Sequence, residues 1–433
     1  MKLLSGIRPA IAAWLLTRTL LLLFVFKVVV VPGPDVTTDV SVIYRGWYDV
    51  LSGGTYPLDD VTWQYPPAAA LAILSPGLLP FLDYASAFFL LAFACDAVAF
   101  GLLAYAGGRP GKTRAGAWVW IAGVPLLGPT AYARYDVMVT AVAVAALLAG
   151  ARRPGALGAL AGFGALLKVW PALLLVGTAR GRVIRRSWAA AAAAGVGVLL
   201  LCMAAMPGAL AFLTFQRDRG TEVESLGALV FHVARYFGGW EGEIRLNYGS
   251  VEFLGPYVPL VSRAALLLTV LAFGWLLLWR LRAREFGPST LADAAFAAVL
   301  LFTTTSRVIS PQYMLWLVGL AAVCLVFRAS RMRTAARLVL VATGVTLLEF
   351  PVWFSHVVDS DAGGLLLLFA RNGLLVAASL TACRQLWLQT VTEPRLRATA
   401  DRAPAPVVHA SAAPREEALL SRAPGAGGPA SRG

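Results

Sequence analysis

The sequence predicts an all-α polytopic integral membrane protein, and three observations carry that prediction. Of the 433 residues, 59% are hydrophobic and 14% are charged, where soluble domains run at about 45–50% and about 25%. Apolar runs of roughly 20 residues, long enough to cross a bilayer, recur along the chain. Short loops rich in Lys and Arg stand between them. The same figures exclude an ordinary cytosolic enzyme, a disordered chain and a secreted disulfide scaffold. Cys95, Cys202, Cys324 and Cys383 lie inside apolar runs without zinc-type spacing, and read as small packing residues.

Lys2 and Arg8 precede the first run, residues 9–31. It is too long for a signal-peptide core and no small-residue cleavage site follows, so an uncleaved anchor is expected. An acid-rich loop, 32–65, comes next. A helix is expected there after Thr37-Thr38-Asp39, with Asp39 as its cap and Gly53-Gly54 as its stop. Val42, Ile43, Trp47, Val50 and Leu51 would form its apolar stripe and lay it on the membrane surface. Residues 68–79, fenced by Pro66, Pro67 and Pro80, are expected as a short interfacial or re-entrant helix. Membrane runs follow at 81–106, 115–132, 136–151, 156–178, 187–206, 257–280, 289–305, 311–328, 335–354 and 363–387. With the anchor they make about eleven or twelve transmembrane or half-membrane helices. The transmembrane domain is thus 1–390, and 391–433, rich in Ala, Pro, Gly and Arg, is expected as a disordered cytoplasmic tail.

Charge orients the chain. The net +14 could suggest nucleic acid, but its distribution argues otherwise. Residues 1–8 and the loops at 109–114, 151–155, 180–186, 280–285 and 328–337 hold 18 Lys and Arg against one acid, Glu285. Stretches 32–65 and 207–256 hold eleven acids against five Arg. The first set, with both termini, is expected in the cytoplasm and the second outside. No nucleic-acid partner is implied.

This assignment forces a break. Loops 151–155 and 180–186 share a side, yet only one apolar run, 156–178, lies between them. Two half-helices broken near Lys168-Val169-Trp170-Pro171 solve the parity, because Pro171 lacks a backbone donor. Non-helical backbone at membrane depth requires a protein-lined or wet cavity around it. A single kinked helix with Lys168 snorkelling is the alternative.

Asp39, Arg134, Asp136, Lys168, Arg307 and Gln312 all fall in outer loops or at outer helix ends in this topology. Ionisable groups at such depth usually mark a functional cavity. An ionised Asp39 could accept a proton from a hydroxyl, or simply cap its helix. Arg134, Lys168 and Arg307 suit a phosphate, or a structural role. His232, Arg235 and Tyr236, at helical spacing in the second loop, could contact a sugar in acceptor binding or form an ordinary interfacial belt. Asp59 and Asp60 could bind a divalent metal or be solvated.

Several segments together resemble glycosyltransferase family 87: DVSVIYRGWYDVLSGGTYP, QYPPAAALAILSP, ARYDVMVTAVAVAALLAG, ALLKVWPALLL and SPQYMLWL, in order over most of residues 1–390. These are the GT-C type polyprenyl-phosphate-mannose mannosyltransferases of actinobacteria. The resemblance implies a GT-C fold and transfer of mannose, with inversion, from a polyprenyl-phosphate donor to a lipid or glycan acceptor. The reaction would take place at the outer face of the cell membrane, with membrane lipids as partners. It implies Asp39 as catalytic base, with Asp35 as fallback because the step from Asp39 to Tyr44 is one residue longer than the tightest form of the family's pattern. Tyr135 and Asp136 match a step between two short helices, and Lys168 matches the Lys of a Lys-x-x-Pro break. Gln312 and Tyr313 stand where some relatives carry a histidine. No cofactor is implied. A polytopic transporter or a flippase for lipid-linked sugars is the rival from another class, and a non-catalytic membrane scaffold is a third.

Overall fold

A computed structural model describes residues 7–217 and 219–394. The expected tail therefore lies outside the described residues beyond 394. The described chain stays helical past 390, where Thr390 accepts a hydrogen bond from Trp279 Nε1 at 2.9 Å and Glu393 pairs with Arg331.

The helices run in the expected order. They are α1 (Arg8–Val25), α2 (Arg45–Ser52), α3 (Ala69–Leu74), α4 (Tyr84–Gly107), α5 (Ala115–Gly123), α6 (Asp136–Gly150), α7 (Pro154–Leu167) and α8 (Arg182–Ala205). After the short α9 (Phe212–Arg217) and α10 (Leu229–Tyr236) come α11 (Val258–Arg282), α12 (Thr290–Thr305), α13 (Tyr313–Val326), α14 (Arg333–Leu347), α15 (Phe354–Asp359) and α16 (Ala362–Trp387). Among the described residues six stretches are long and apolar enough to span a bilayer: α1, α4, α8, α11, α14 with its extension to Val352, and α16 with its extension to Thr392. The protein is a polytopic helical membrane protein.

Length sorts the helices radially. At 1.5 Å per residue, the 15, 16 and 14 residues of α6, α12 and α13 fall short of a bilayer's roughly 30 Å core. These are the buried helices; from Met314 to Cys324 every residue of α13 is buried. The 24-residue α8 buries only Ser187, and α11 turns Leu266, Leu267, Val270 and Leu271 outward. The most exposed helices are thus long ones, although the equally long α4 is half buried, while the short ones end at depth, where other protein surrounds their termini. Gly158 and Gly162, one turn apart, press α7 onto α8: a Cβ there would meet Ser187 O at 1.9 Å and Ala191 O at 2.3 Å.

One buried ion pair ties the first helices together. Asp96 on α4 accepts from Arg18 Nε at 2.6 Å and Nη2 at 3.1 Å, and from Tyr132 Oη at 2.5 Å. Trp14 and Trp120 also donate to it through their indole N–H groups. Asp96→Ala would leave Arg18 buried with its main carboxylate removed, a loss of about 3–5 kcal/mol. Thermal unfolding in detergent checks this; an unchanged midpoint would contradict it.

The basic loops gather at one end. Arg328 Nε donates to Lys112 O at 3.1 Å, Ser330 Oγ to Asp293 at 2.6 Å and Arg180 Nη2 to Arg280 O at 2.8 Å. The acid-rich stretches meet at the other end, where Gln64 Nε2 donates to Tyr248 O at 2.8 Å and Tyr56 N to Pro207 O at 3.3 Å. The break in 156–178 is present as expected. Lys168 is extended (φ −155°, ψ 141°), and a 3₁₀ turn, Trp170–Leu175, follows it. The chain also returns: Gly150 before α7 and Gly177 after the turn both pack on Leu291. The segment is re-entrant, and the two basic loops flanking it share an end. Ala69–Leu74 does not cross either; Tyr84 Oη holds Ile73 O at 3.0 Å and Tyr48 packs on Gly77 beside it.

A purely helical reading misses one element. The second acid-rich stretch contains β1 (Thr221–Glu222), β2 (Glu243–Asn247) and β3 (Ser250–Leu254), an antiparallel sheet in the order β1-β3-β2. Tyr248 and Gly249 turn β2 into β3 with φ of 48° and 74°, the double positive φ of a type I′ hairpin.

Candidate active site

The site is built around the break in the first acid-rich loop. Asp39 opens a wide helical turn, Asp39–Tyr44, that runs on into α2. Val40, Tyr44, Trp47 and Leu51 form the buried stripe. The expected stripe is therefore corrected: Val42 and Val50 are exposed, and Ile43 is partly buried. Asp39 is not a helix cap either, since its side chain makes no capping bond. Its Oδ2 instead meets Arg134 Nη2 at 2.6 Å. Arg134 donates through Nη1 to Val36 O at 3.1 Å and Ala133 O at 2.8 Å, which fixes the loop against the start of α6. A third of the Asp39 side chain is exposed.

Asp39 and Lys168 border the same cavity, of about 400 Å³. Arg307, Gln312 and Tyr313 line it as well. Tyr135 and Asp136 stand just behind the wall. Asp136 Oδ1 holds Lys168 Nζ at 2.5 Å and Trp316 Nε1 at 2.6 Å, and Tyr135 Oη reaches Leu167 O at 3.3 Å. Lys168 Nζ lies 4.9 to 5.9 Å from the rings of Tyr135, Trp316, Tyr65 and Tyr313, an aromatic cage that partly replaces its lost water. Trp170 stacks on Trp316 at 5.3 Å and Trp316 on Tyr313 at 3.9 Å, giving the cavity an aromatic wall. Tyr44 Oη, Asp136 Oδ2 and Trp170 Nε1 are buried there without a partner among the described residues. Buried polar atoms are normally satisfied, so orphans around one cavity point to polar groups held inside it.

Sequence reasoning did not single out Arg219. It lines the cavity and, with Arg307, also lines an adjoining cleft of about 430 Å³ that contains Arg263 and the apolar Val258 and Leu266. Ser250 Oγ accepts from Arg219 at 2.7 Å, and Glu252 lies 3.5 Å from its Nε. Glu222 was missed too. Its carboxylate receives Ile309 N at 2.7 Å and Ser310 Oγ at 2.9 Å, and so pins the segment that delivers Gln312 and Tyr313. A lone acid in a polar loop gives no sign of such a distant partner.

The acceptor residues expected in the second loop do not reach this cavity. His232 is fully buried in a small second core against Phe253, with Nδ1 2.8 Å from Ser360 Oγ and Nε2 2.8 Å from Val223 O. Arg235 is half-buried on the same helix and lines no part of the cavity, while Tyr236 is exposed. Burial pulls the His232 pKa down to about 4. Above its unfolded value near 6.5 the ring is neutral in both states and contributes nothing to pH dependence. As pH falls from about 6.5 to about 4, the unfolded chain takes the proton first and about 3 kcal/mol of stability is lost. His232→Gln should flatten that slope, as read by denaturation at pH 7 and pH 5.

Asp35, the fallback base, pairs with Lys27 at 2.6 Å and accepts from Thr37. It does not line the cavity. Asp60 uses Oδ2 on Trp47 Nε1 and Oδ1 on Thr62. Among the described residues no group of three or more His, Cys, Asp or Glu is placed to hold a metal ion.

The family model for glycosyltransferase family 87 matches residues 63–311, more than half of the chain. The chain belongs to glycosyltransferase family 87. No curated protein and no solved structure matches it. As a family 87 member the protein is a membrane glycosyltransferase, acting between a sugar donor and an acceptor. The match contains Arg134, Tyr135, Asp136, Lys168, Arg219 and Arg307. Asp39 lies before it and Gln312 and Tyr313 just after it, joined to the family 87 segment through Arg134 and Glu222 respectively.

Proposed function

We propose that the protein moves a sugar, mannose by its resemblance to GT-C type mannosyltransferases, from a polyprenyl-phosphate donor to a hydroxyl of a lipid or glycan acceptor. The acid-rich end is the outer face of the cell membrane and the basic end is cytoplasmic, in keeping with the distribution of Lys and Arg. The observation that carries this reading is the joint placement of Asp39, Lys168, Arg219 and Arg307 around one aromatic-walled cavity.

The acceptor hydroxyl gives its proton to Asp39 while its oxygen bonds to the anomeric carbon. The bond from that carbon to the phosphate oxygen breaks on the opposite side, with inversion, and polyprenyl phosphate leaves. Asp39 provides the base, held in place by Arg134. Negative charge grows on the departing phosphate, and preorganised cations facing it lower the barrier. Arg219 and Arg307 suit that task because they belong both to the cavity and to the cleft beside the outward-facing leucines of α11. The isoprenoid chain would lie along that apolar surface, leaving its phosphate at the arginines.

The test is transfer by purified protein in liposomes supplied with polyprenyl-phosphate mannose and a membrane-lipid acceptor fraction. Labelled sugar should appear on the acceptor. Movement of intact donor between leaflets without any sugar transfer would replace this reading with that of a flippase.

A further inference from the structure

At the basic end, opposite the cavity, a second cleft of about 500 Å³ opens between α4, α6 and α7 beside Phe327. Arg109, Lys112, Arg152 and Arg153 line it, and no acidic residue does. Among the described residues none of these four cations has a carboxylate partner. Lys112 Nζ instead lies 3.3 Å from the centroid of the Phe327 ring, and Arg109 donates to Tyr105 Oη at 2.6 Å. Burial, and next to it the charge of Arg152, hold the Lys112 ammonium below its usual range.

The tendency of basic residues to occupy cytoplasmic loops explains why such residues stand at this end. It does not explain their convergence on one cleft with apolar walls. Four like charges lining one cleft repel one another, and a ligand with several negative charges removes that repulsion. The rest of the lining is apolar, with Leu102, Leu148, Leu160 and Val326, and the adjoining face of α4 exposes Val98 and Tyr105. A soluble anion would gain nothing from those surfaces, whereas a lipid uses both.

We propose that this cleft binds an anionic phospholipid, its phosphates among Arg109, Lys112, Arg152 and Arg153 and its acyl chains along the apolar wall. A headgroup with two phosphates suits four cations best. Position gives the site a consequence. The turn between α6 and α7 carries Arg152 and Arg153, and the far ends of the same two helices carry Asp136 and Lys168. The lipid therefore clamps the helix pair whose other ends hold the cavity's buried ion pair.

Native mass spectrometry of the delipidated full-length protein tests the proposal, with diphosphatidylglycerol, phosphatidylglycerol or phosphatidylcholine added in turn. Diphosphatidylglycerol should be retained at least about tenfold more tightly than phosphatidylcholine, from about 1 kcal/mol per basic residue. Millimolar inorganic phosphate should not displace it; displacement would assign the cleft to a soluble phosphate and overturn the lipid reading. The R109Q/R152Q/R153Q variant should lose the preference. On the unmodified protein, a photoreactive anionic lipid should crosslink to residues 102–112 and 148–160. Crosslinks confined to other segments, or equal retention of charged and zwitterionic lipids, would overturn the proposal whether or not the variant folds.

Discussion

Asp39→Asn should lower sugar transfer by about 10²–10⁴-fold, the usual worth of a positioned general base, while leaving the fold intact. The substitution keeps the size of the side chain and a carbonyl oxygen for Arg134, which sits 2.6 Å from the carboxylate in the unmodified protein. What it removes is the capacity to take a proton. The loss should therefore appear in turnover, with donor binding little changed. Asp35→Asn is the control, because Asp35 is paired with Lys27 outside the cavity, and it should transfer at close to the normal rate. Membrane fractions with equal amounts of folded protein, assayed over a range of donor concentrations, would show both outcomes. Normal turnover in Asp39→Asn would remove Asp39 from the chemistry.

The second large effect is expected at the Lys168–Asp136 pair. Lys168→Met leaves the Asp136 carboxylate buried against Trp316 without its cation, since Nζ is its 2.5 Å partner. Breaking a buried pair from one side costs about 3–5 kcal/mol. Adding Asp136→Asn removes the stranded charge, so the D136N/K168M double variant should regain most of that stability. It should not regain transfer. Lys168 is a cation on the cavity wall, and a stable double variant without it separates loss of fold from loss of electrostatic assistance. Recovery of both stability and activity would make the pair purely structural.

Much of this architecture is legible in one sequence, and the reasons are physical. Apolar runs must be about as long as the bilayer is thick, so their positions follow from composition alone. The sidedness of Lys and Arg then turns a parity argument into the re-entrant break at Lys168, before any contact is known. Site residues near membrane depth are legible because charge there is costly. What stays hidden is partnership. Asp96 and Arg18 sit in separate apolar runs, as do Glu349 and Arg371, whose carboxylate and guanidinium meet at 2.6 Å. Nothing local tells which distant residue neutralises which.

The acid-rich loop 207–256 defeated helical reasoning for a different reason. The alternation in Glu243–Asn247 and the Tyr248-Gly249 turn do spell a hairpin, but strands of two to five residues are swamped by the helical signal around them. His232 misled because its helix presents it inward, to Val223 and Ser360, and spacing alone does not fix which face of a helix meets a cavity. Arg219 and Glu222 come into play only once that hairpin folds over the cavity.

Donor phosphate and catalytic base should share one cavity. A cryo-electron microscopy map of the protein with bound polyprenyl phosphate tests it most directly. The phosphate is predicted within hydrogen-bonding reach, about 3 Å, of Arg219 or Arg307, with Asp39 across the cavity and the isoprenoid chain leaving along α11. Phosphate density at the basic end, among Arg109, Arg152 and Arg153, with none beside Asp39, would contradict it.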